Sequence, residues 1–435
     1  MTWKDCKEWA NVGLRLSTTS NEAAKMYDAA VTQYVSGFSE DSVGGMAGAV
    51  DKMRAADPNF VLGLAVSNGL KLLGTMTSTW NNAELKHDIE SMVQIAKNNN
   101  ILTWKEKLHV NAVKLFSEGY LREAINTWED ILLRHPTDAL ALRFAVDSYF
   151  FCGKMTQYRD CIARVKPYWE SKKVSQSMYG YLKSTYAFGL EETYLFNEAE
   201  TEARQALELN ACDGWATHVI AHVMEMQCRY DEGIHYLKTS VNQYQGDYAS
   251  ALDLYDEIAT CRLGSGTRFD ILDLVMLLQR LEFEGVDVGN RWKKVYSLCQ
   301  PHFNDHALVY NDVLYMMVAL GAKQDEAAAN FLQSIKHFVR SKREDHTIAK
   351  AFSDVGISIC ESLTAYHHGD FADVVDILNP RDIFSILLIQ SAIKSTRRDH
   401  QRFARSLLNE RNAMKTGSPM TDRLLEKLNT MVLAE

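Results

Sequence analysis

Tyr181-Leu-Lys-Ser-Thr-Tyr186-Ala-Phe188-Gly189-Leu-Glu191, followed by Asn197-Glu198-Ala199-Glu-Thr-Glu-Ala203-Arg-Gln-Ala206-Leu207, is the first copy of a duplicated unit. The second copy reads Trp215-Ala-Thr-His218-Val-Ile-Ala221-His222-Val-Met-Glu225 and then Asp231-Glu232-Gly233-Ile-His-Tyr-Leu237-Lys-Thr-Ser240. From Ala199 to Gly233 is 34 residues, the period at which one antiparallel helix pair stacks on the next. Small residues at fixed offsets let the paired helices approach, so this stretch decides the fold.

Composition agrees with that reading. The chain has 435 residues, 46% hydrophobic and 24% charged, with only 6 prolines and 23 glycines to punctuate it. An all-β chain needs more turn residues, whereas here Ala, Leu, Glu, Lys and Met recur at helical spacing. A net charge of -9 argues against a nucleic-acid surface, which gains its affinity from clustered Lys and Arg. Arg340-Ser-Lys-Arg343 and Lys394-Ser-Thr-Arg-Arg398 read as solvated helix ends. Eight scattered cysteines without a C-x-x-C pair read as reduced, mostly buried thiols. Charged residues at the amino terminus where a signal peptide would be apolar, and the shortness of the most apolar run, Ile383–Ile393, predict a cytoplasmic protein without a membrane span.

Outward from the duplicated unit, three regions of one continuous solenoid are expected. Residues 1–100 read as helical hairpins, with Ser17-Thr-Thr-Ser20-Asn21-Glu22 offering capping residues ahead of the run from Ala23 to Val31 and Asp57-Pro58 stopping a helix that starts near Gly44-Gly45. Residues 101–245 hold the clearest repeats. Glu106–Ser117 is a first helix, Gly119 a turn, and Ala124, Trp128 and Ile131 the inward face of a second helix. Adding 34 to Ala124 reaches Tyr158, and adding it again falls seven residues short of Ala199. The surplus is expected as a longer loop over Ser171–Ser177. Residues 246–435 read as further helices and a terminal cap, with helices over Phe269–Arg280, Gly289–Cys299, Asp305–Gly321 and Asp325–Arg340. The turn and helix at Gly246–Ile258 place Ala251 only 18 residues beyond Gly233, so one helix is missing before it and a break near Gln245 is expected.

Period and small-residue offsets resemble the tetratricopeptide repeat, which implies an all-α, right-handed superhelical solenoid of antiparallel helix pairs. A closer resemblance rests on Leu16–Glu22, Leu108-His109-Val, His135–Leu142, Thr217-His218-Val-Ile-Ala-His222-Val-Met-Glu-Met226, Glu284–Gly289, Asn304-Asp-His306 and Ala404–Arg411. These strings are similar to the tetratricopeptide repeat protein 38 family, cytosolic proteins with no settled biochemical activity to carry over. Two departures from that pattern follow. The family's His-Asn-aromatic-Trp-His helix is absent between Gln245 and Gly246, and its Gly-Gly-Ser loop is absent where Pro380 joins Arg381.

No Walker loop, dinucleotide fingerprint, H-E-x-x-H or G-x-S-x-G motif is present. Leu263-Gly-Ser-Gly-Thr267 follows no strand and reads as a turn. In the tetratricopeptide class, positions 2, 5, 9 and 12 of each first helix line the concave groove. Counted that way, the candidate ligand-binding residues are His109, Arg143, Asp147, Tyr181, Phe188, Glu191, Trp215, His218, His222 and Glu225. Mixed charge, imidazole and aromatic rings suit a pocket better than a spacer. The expected function is therefore binding of a peptide, partner helix or small molecule in the groove. An enzyme using His218, His222 and Glu225 is the alternative, since His at i and i+4 with a carboxylate at i+7 shares one helix face. That trio can also hold a divalent metal, hydrogen-bond a ligand, or serve as satisfied structural histidines. One helix supplies only three groups, so no metal ligand is assigned, and the cofactor is left unnamed. His306, Asn311 and Asp312 form a lesser polar cluster, and His367-His368 reads as exposed.

Overall fold

The computed structural model describes residues 3–75, 77–171, 175–237, 252–253, 255–257, 259, 268–378 and 385–433. Every regular element among them is helical, so the all-α expectation holds, and successive helices pair with their neighbours. Gln245, the helix expected over Gly246–Ile258 with its missing predecessor, and the Pro380–Arg381 join lie almost wholly outside the described residues. Contacts group the chain into two units, Met1–Val223 and Met224–Glu435.

The first unit contains α1 (Cys6–Asn11), α2 (Asn21–Ser36), α3 (Gly45–Ala56), α4 (Val61–Thr75), α5 (Ala83–Asn98), α6 (Trp104–Ser117), α7 (Leu121–Arg134), α8 (Ala139–Phe151), α9 (Met155–Glu170), α10 (Gln176–Glu191) and α11 (Phe196–Leu209). The unit boundary falls inside α12 (Gly214–Met226). Side-chain oxygens of Ser20, Asn82, Thr103, Asp138 and Ser175 cap the helices that follow them, each accepting from the otherwise orphaned N–H three residues on. Ala124, Ala199 and Ala203 are fully buried. Trp128 fills the space between Phe116, at 6.2 Å, and Phe144, at 5.3 Å.

The repeat is visible in the helix starts. α7 and α9 begin 34 residues apart, at Leu121 and Met155, and α11 begins 41 later at Phe196. The seven surplus residues are not chiefly a longer loop. α9 and α10 have 16 residues each, against 14 in α7 and 13 in α8, so five of the seven extend helices.

The second unit contains α13 (Tyr230–Leu237), α14 (Arg268–Phe283), α15 (Arg291–Cys299), α16 (Val309–Gly321), α17 (Asp325–Ser341), α18 (Thr347–Ala351), a π-helical turn (Phe352–Gly356), α19 (Ile357–His368), α20 (Phe371–Leu378), α21 (Ser385–Lys394), α22 (Arg398–Met414) and α23 (Pro419–Leu433). α16 is its core element, buried continuously from Asn311 to Leu320 and packed by α14, α15, α17 and α19. It starts at Val309 rather than Asp305, because His306 has φ +42° and cannot sit in a right-handed helix.

Five of the turns within helix pairs are built one way, in both units. A left-handed residue follows the first helix at Gly119 (φ +86°), Gly153 (+64°), Tyr194 (+63°), Cys228 (+57°) and Lys323 (+59°). The next N–H then donates to a carbonyl five residues back, as in Tyr120 to Leu115 and Gln324 to Ala319, both 2.9 Å. This closes the helix end and reverses the chain.

Candidate functional site

The polar and aromatic positions expected on the groove converge in the first unit around α12. Buried Asp213 accepts from the Ala216 N–H at 3.1 Å and starts that helix. One helical face then carries Trp215, His218 and His222. Phe188 on α10 lies 5.5 Å from the Trp215 ring and 6.2 Å from His218, and is backed by Tyr158 and Phe150. The guanidinium of Arg143 lies 5.5 Å from the Tyr34 ring and 5.7 Å from Trp215. Its Nε donates to Asp147 at 3.2 Å, and the Tyr34 hydroxyl donates to the same carboxylate. Tyr181 lies about two turns ahead of Phe188 on α10.

The two imidazole rings lie with centroids 4.2 Å apart and their planes tilted by 35°. Partial burial beside the aromatic rings and the neighbouring His222 pull the His218 pKa below its ordinary value, although the residue keeps an exposed face. His222 Nδ1 stands 3.6 Å from Oε2 of Glu191, whose side chain is only 5% exposed. The next residue, Glu192, has its pKa raised by burial and by the Glu191 charge, partly offset by His222.

Two expected groove residues are otherwise engaged. His109 is fully buried, with Nε2 3.5 Å from Asp138, whose carboxylate also takes the buried Lys105 ammonium at 3.4 Å. It lines no surface, since its side chain is 0% exposed. Glu225 belongs to the second unit, where its carboxylate is ion-paired with Lys415.

That pair borders a cavity of about 560 Å³ in the second unit. Its walls are apolar: Met226, Met276, Leu281, Phe283, Val309, Val313, Leu314, Met317, Ile359, Ile386 and Met420. Four cationic side chains reach it. Lys415 is matched by Glu225, and Arg423 donates to Glu284 at 2.6 Å. Arg280 and Arg411 have no carboxylate within ion-pair distance among the described residues, and the buried Nε of Arg411 has no acceptor. Sequence reading missed this cavity because its wall comes from six distant stretches. The local signal was Arg280 inside the apolar run Val275-Met-Leu-Leu-Gln-Arg-Leu281.

His306 and Asp312 meet as expected, but as a buried latch. His306 Nδ1 is 2.6 Å from Asp312, its Nε2 is 3.0 Å from Ser334 Oγ, and the ring lies against Phe331 and Phe338. The Ser334 hydroxyl also lies 2.9 Å from the carbonyl of Phe331. The described cysteines are all free, and burial pushes the Cys152 and Cys161 thiols up to about 11 and about 12, as core thiols require. No described helix is long and apolar enough to cross a membrane.

No protein-family model matches the chain. Among solved structures it is similar to the crystal structure of the APC/C hetero-tetramer Cut9-Hcn1, at 15% identity over 97% of this chain and 74% of that chain, with a TM-score of 0.48.

Proposed function

We propose that this chain is a cytosolic, tetratricopeptide-like binding protein of the tetratricopeptide repeat protein 38 kind, and that its second unit takes an amphiphile with an apolar body and one acidic group. The observation that carries this is the apolar cavity of about 560 Å³ edged by Arg280 and Arg411, two guanidiniums without acidic partners among the described residues. Volumes of roughly 300–1,000 Å³ with apolar walls and few polar groups are those of small-molecule sites. A carboxylate between two guanidiniums gains charge-assisted hydrogen bonds, and an alkyl chain gains about 0.8 kcal/mol per buried CH₂. Ten methylenes then contribute about 8 kcal/mol against an association cost of about 4 kcal/mol or more, which leaves about 4 kcal/mol, a millimolar affinity, and charge-assisted hydrogen bonds of about 1.5–3 kcal/mol each move it toward the micromolar range.

Calorimetric titration with dodecanoate and with dodecanol tests this. Arg411→Met is expected to weaken dodecanoate at least tenfold and leave dodecanol nearly unchanged. Equal loss of both ligands, or no binding of either by the unaltered protein, would overturn the reading.

A second reading keeps a binding groove in the first unit. Trp215, His218 and His222, backed by buried Phe188 and the Arg143–Asp147 pair and with Tyr181 further along α10, combine aromatic rings with charges and suit an extended peptide. Peptides selected on the whole protein should lose binding to Trp215→Ala if this face is the groove. An enzymatic set of His218, His222 and Glu225 has less support, because Lys415 engages the Glu225 carboxylate.

A further inference from the structure

The geometry points to a divalent transition-metal site, of the zinc type, formed by Glu191, Glu192 and His222 with His218 at its side. One ligand atom from each of the first three lies within 4.8 Å of the other two. They come from two elements: the last residue of α10, its cap, and the middle of α12.

Three independent features favour a cation there. First, Oε2 of Glu191 is buried and has no hydrogen-bond partner, although the side chain is 95% enclosed by its 5% exposure. Its nearest cationic candidate, His222 Nδ1, is 3.6 Å away, beyond hydrogen-bond reach. A buried carboxylate oxygen left unmatched is costly, and a metal ion would match it. Second, two adjacent carboxylates occupy the C-terminal end of α10, whose last turn holds no basic residue. The helix dipole is negative there and disfavours both charges, so a cation would relieve the dipole and the mutual repulsion together. Third, the imidazoles of His218 and His222 lie with centroids 4.2 Å apart, and neither residue is sealed from solvent. A metal therefore has a way in.

The donor chemistry selects the ion class. Imidazole nitrogen with carboxylate oxygen and no thiolate suits Zn²⁺, Mn²⁺ or Fe²⁺ rather than an all-oxygen Ca²⁺ or Mg²⁺ site. Three protein ligands from two helices would leave a coordination position for water or an exogenous ligand, unlike a closed four-thiolate structural site. The proposal concerns the first unit alone and is independent of the amphiphile cavity.

The test uses the full chain, stripped of metal with a chelator and titrated at pH 7.5 with Zn²⁺ by calorimetry and with Co²⁺ by visible absorption. One ion per chain is expected, without thiolate-to-cobalt charge-transfer absorption and without competition from excess Mg²⁺. Glu191→Gln, which keeps the side-chain shape, and the more exposed Glu192→Gln should each weaken binding at least tenfold while circular dichroism stays unchanged. His222→Ala should do the same. Binding should also weaken from pH 7.5 to 5.5, as protons displace the metal from imidazole. Absence of stoichiometric binding, a thiolate signature, or unaltered affinity in Glu191→Gln and His222→Ala would each overturn the proposal.

Discussion

Asp138 shows how much one buried side chain carries. It caps α8 through the Ala141 N–H at 3.0 Å and balances Lys105, which is 3% exposed. Burial by itself would raise its pKa, but Lys105 and His109 more than offset that and hold it far below the ordinary carboxylate range. A depressed folded-state pKa contributes stability that is present above about pH 4 and lost as pH falls below it. Asp138→Asn keeps a capping oxygen yet strands the Lys105 charge, at a cost of about 3–5 kcal/mol near neutrality. Urea denaturation should show that cost at pH 7 and a shallower acid limb for the variant. Asp312 runs the other way. Burial raises its pKa to about 6 although the His306 contact opposes this. Its proton therefore favours the folded state below about pH 4, and that contribution fades as pH climbs through 6. Destabilisation by Asp312→Asn should be larger at pH 5 than at pH 7.5.

At the scale of helices, the turns and the close approaches decide the pairing. Lys323 adopts the left-handed conformation that Gly119 and Gly153 adopt without steric cost. Lys323→Gly should stabilise the second unit by about 1 kcal/mol, read as a shift in the urea midpoint with unchanged slope. Gly189 does different work. A Cβ there would stand 2.9 Å from the Tyr158 ring and 3.0 Å from the Arg159 backbone, so α10 lies against α9 with no room to spare. Gly189→Ala gains helix propensity but overpacks this crossing, and a net loss of about 1–2 kcal/mol is expected in the same assay.

The whole molecule contains two cores. Trp128 is fully buried in the first unit, Trp292 and Tyr315 in the second. Helix pairs contact chiefly their neighbours, so a lesion should be felt nearby first. Trp128→Ala, at a cost of about 3–5 kcal/mol, should deprotect amides within Met1–Val223 well before those of α16. Hydrogen exchange with peptide-level mass spectrometry checks this, and simultaneous loss of protection in both units would argue for one cooperative block.

Residue order alone determined the helix pairs, because pairing rests on local facts: small residues at Ala124 and Ala199, capping residues within Ser17–Glu22, and a 34-residue period. Helical spacing likewise brought Trp215, His218 and His222 to one face and paired them with Phe188 and Glu191 of the preceding repeat. The turns at Tyr194, Cys228 and Lys323 were harder to read, since none places glycine at the left-handed position. Tertiary structure decided what each polar group meets. Counting repeats put His109 and Glu225 in the groove, but His109 is enclosed around Asp138, and Glu225 is taken by Lys415, 190 residues along the chain. The cavity and the unmatched guanidiniums at its edge were hidden for the same reason. Periodicity fixes which way a side chain points from its own helix, whereas burial, charge pairing and enclosed volume depend on elements that chain order does not place beside it.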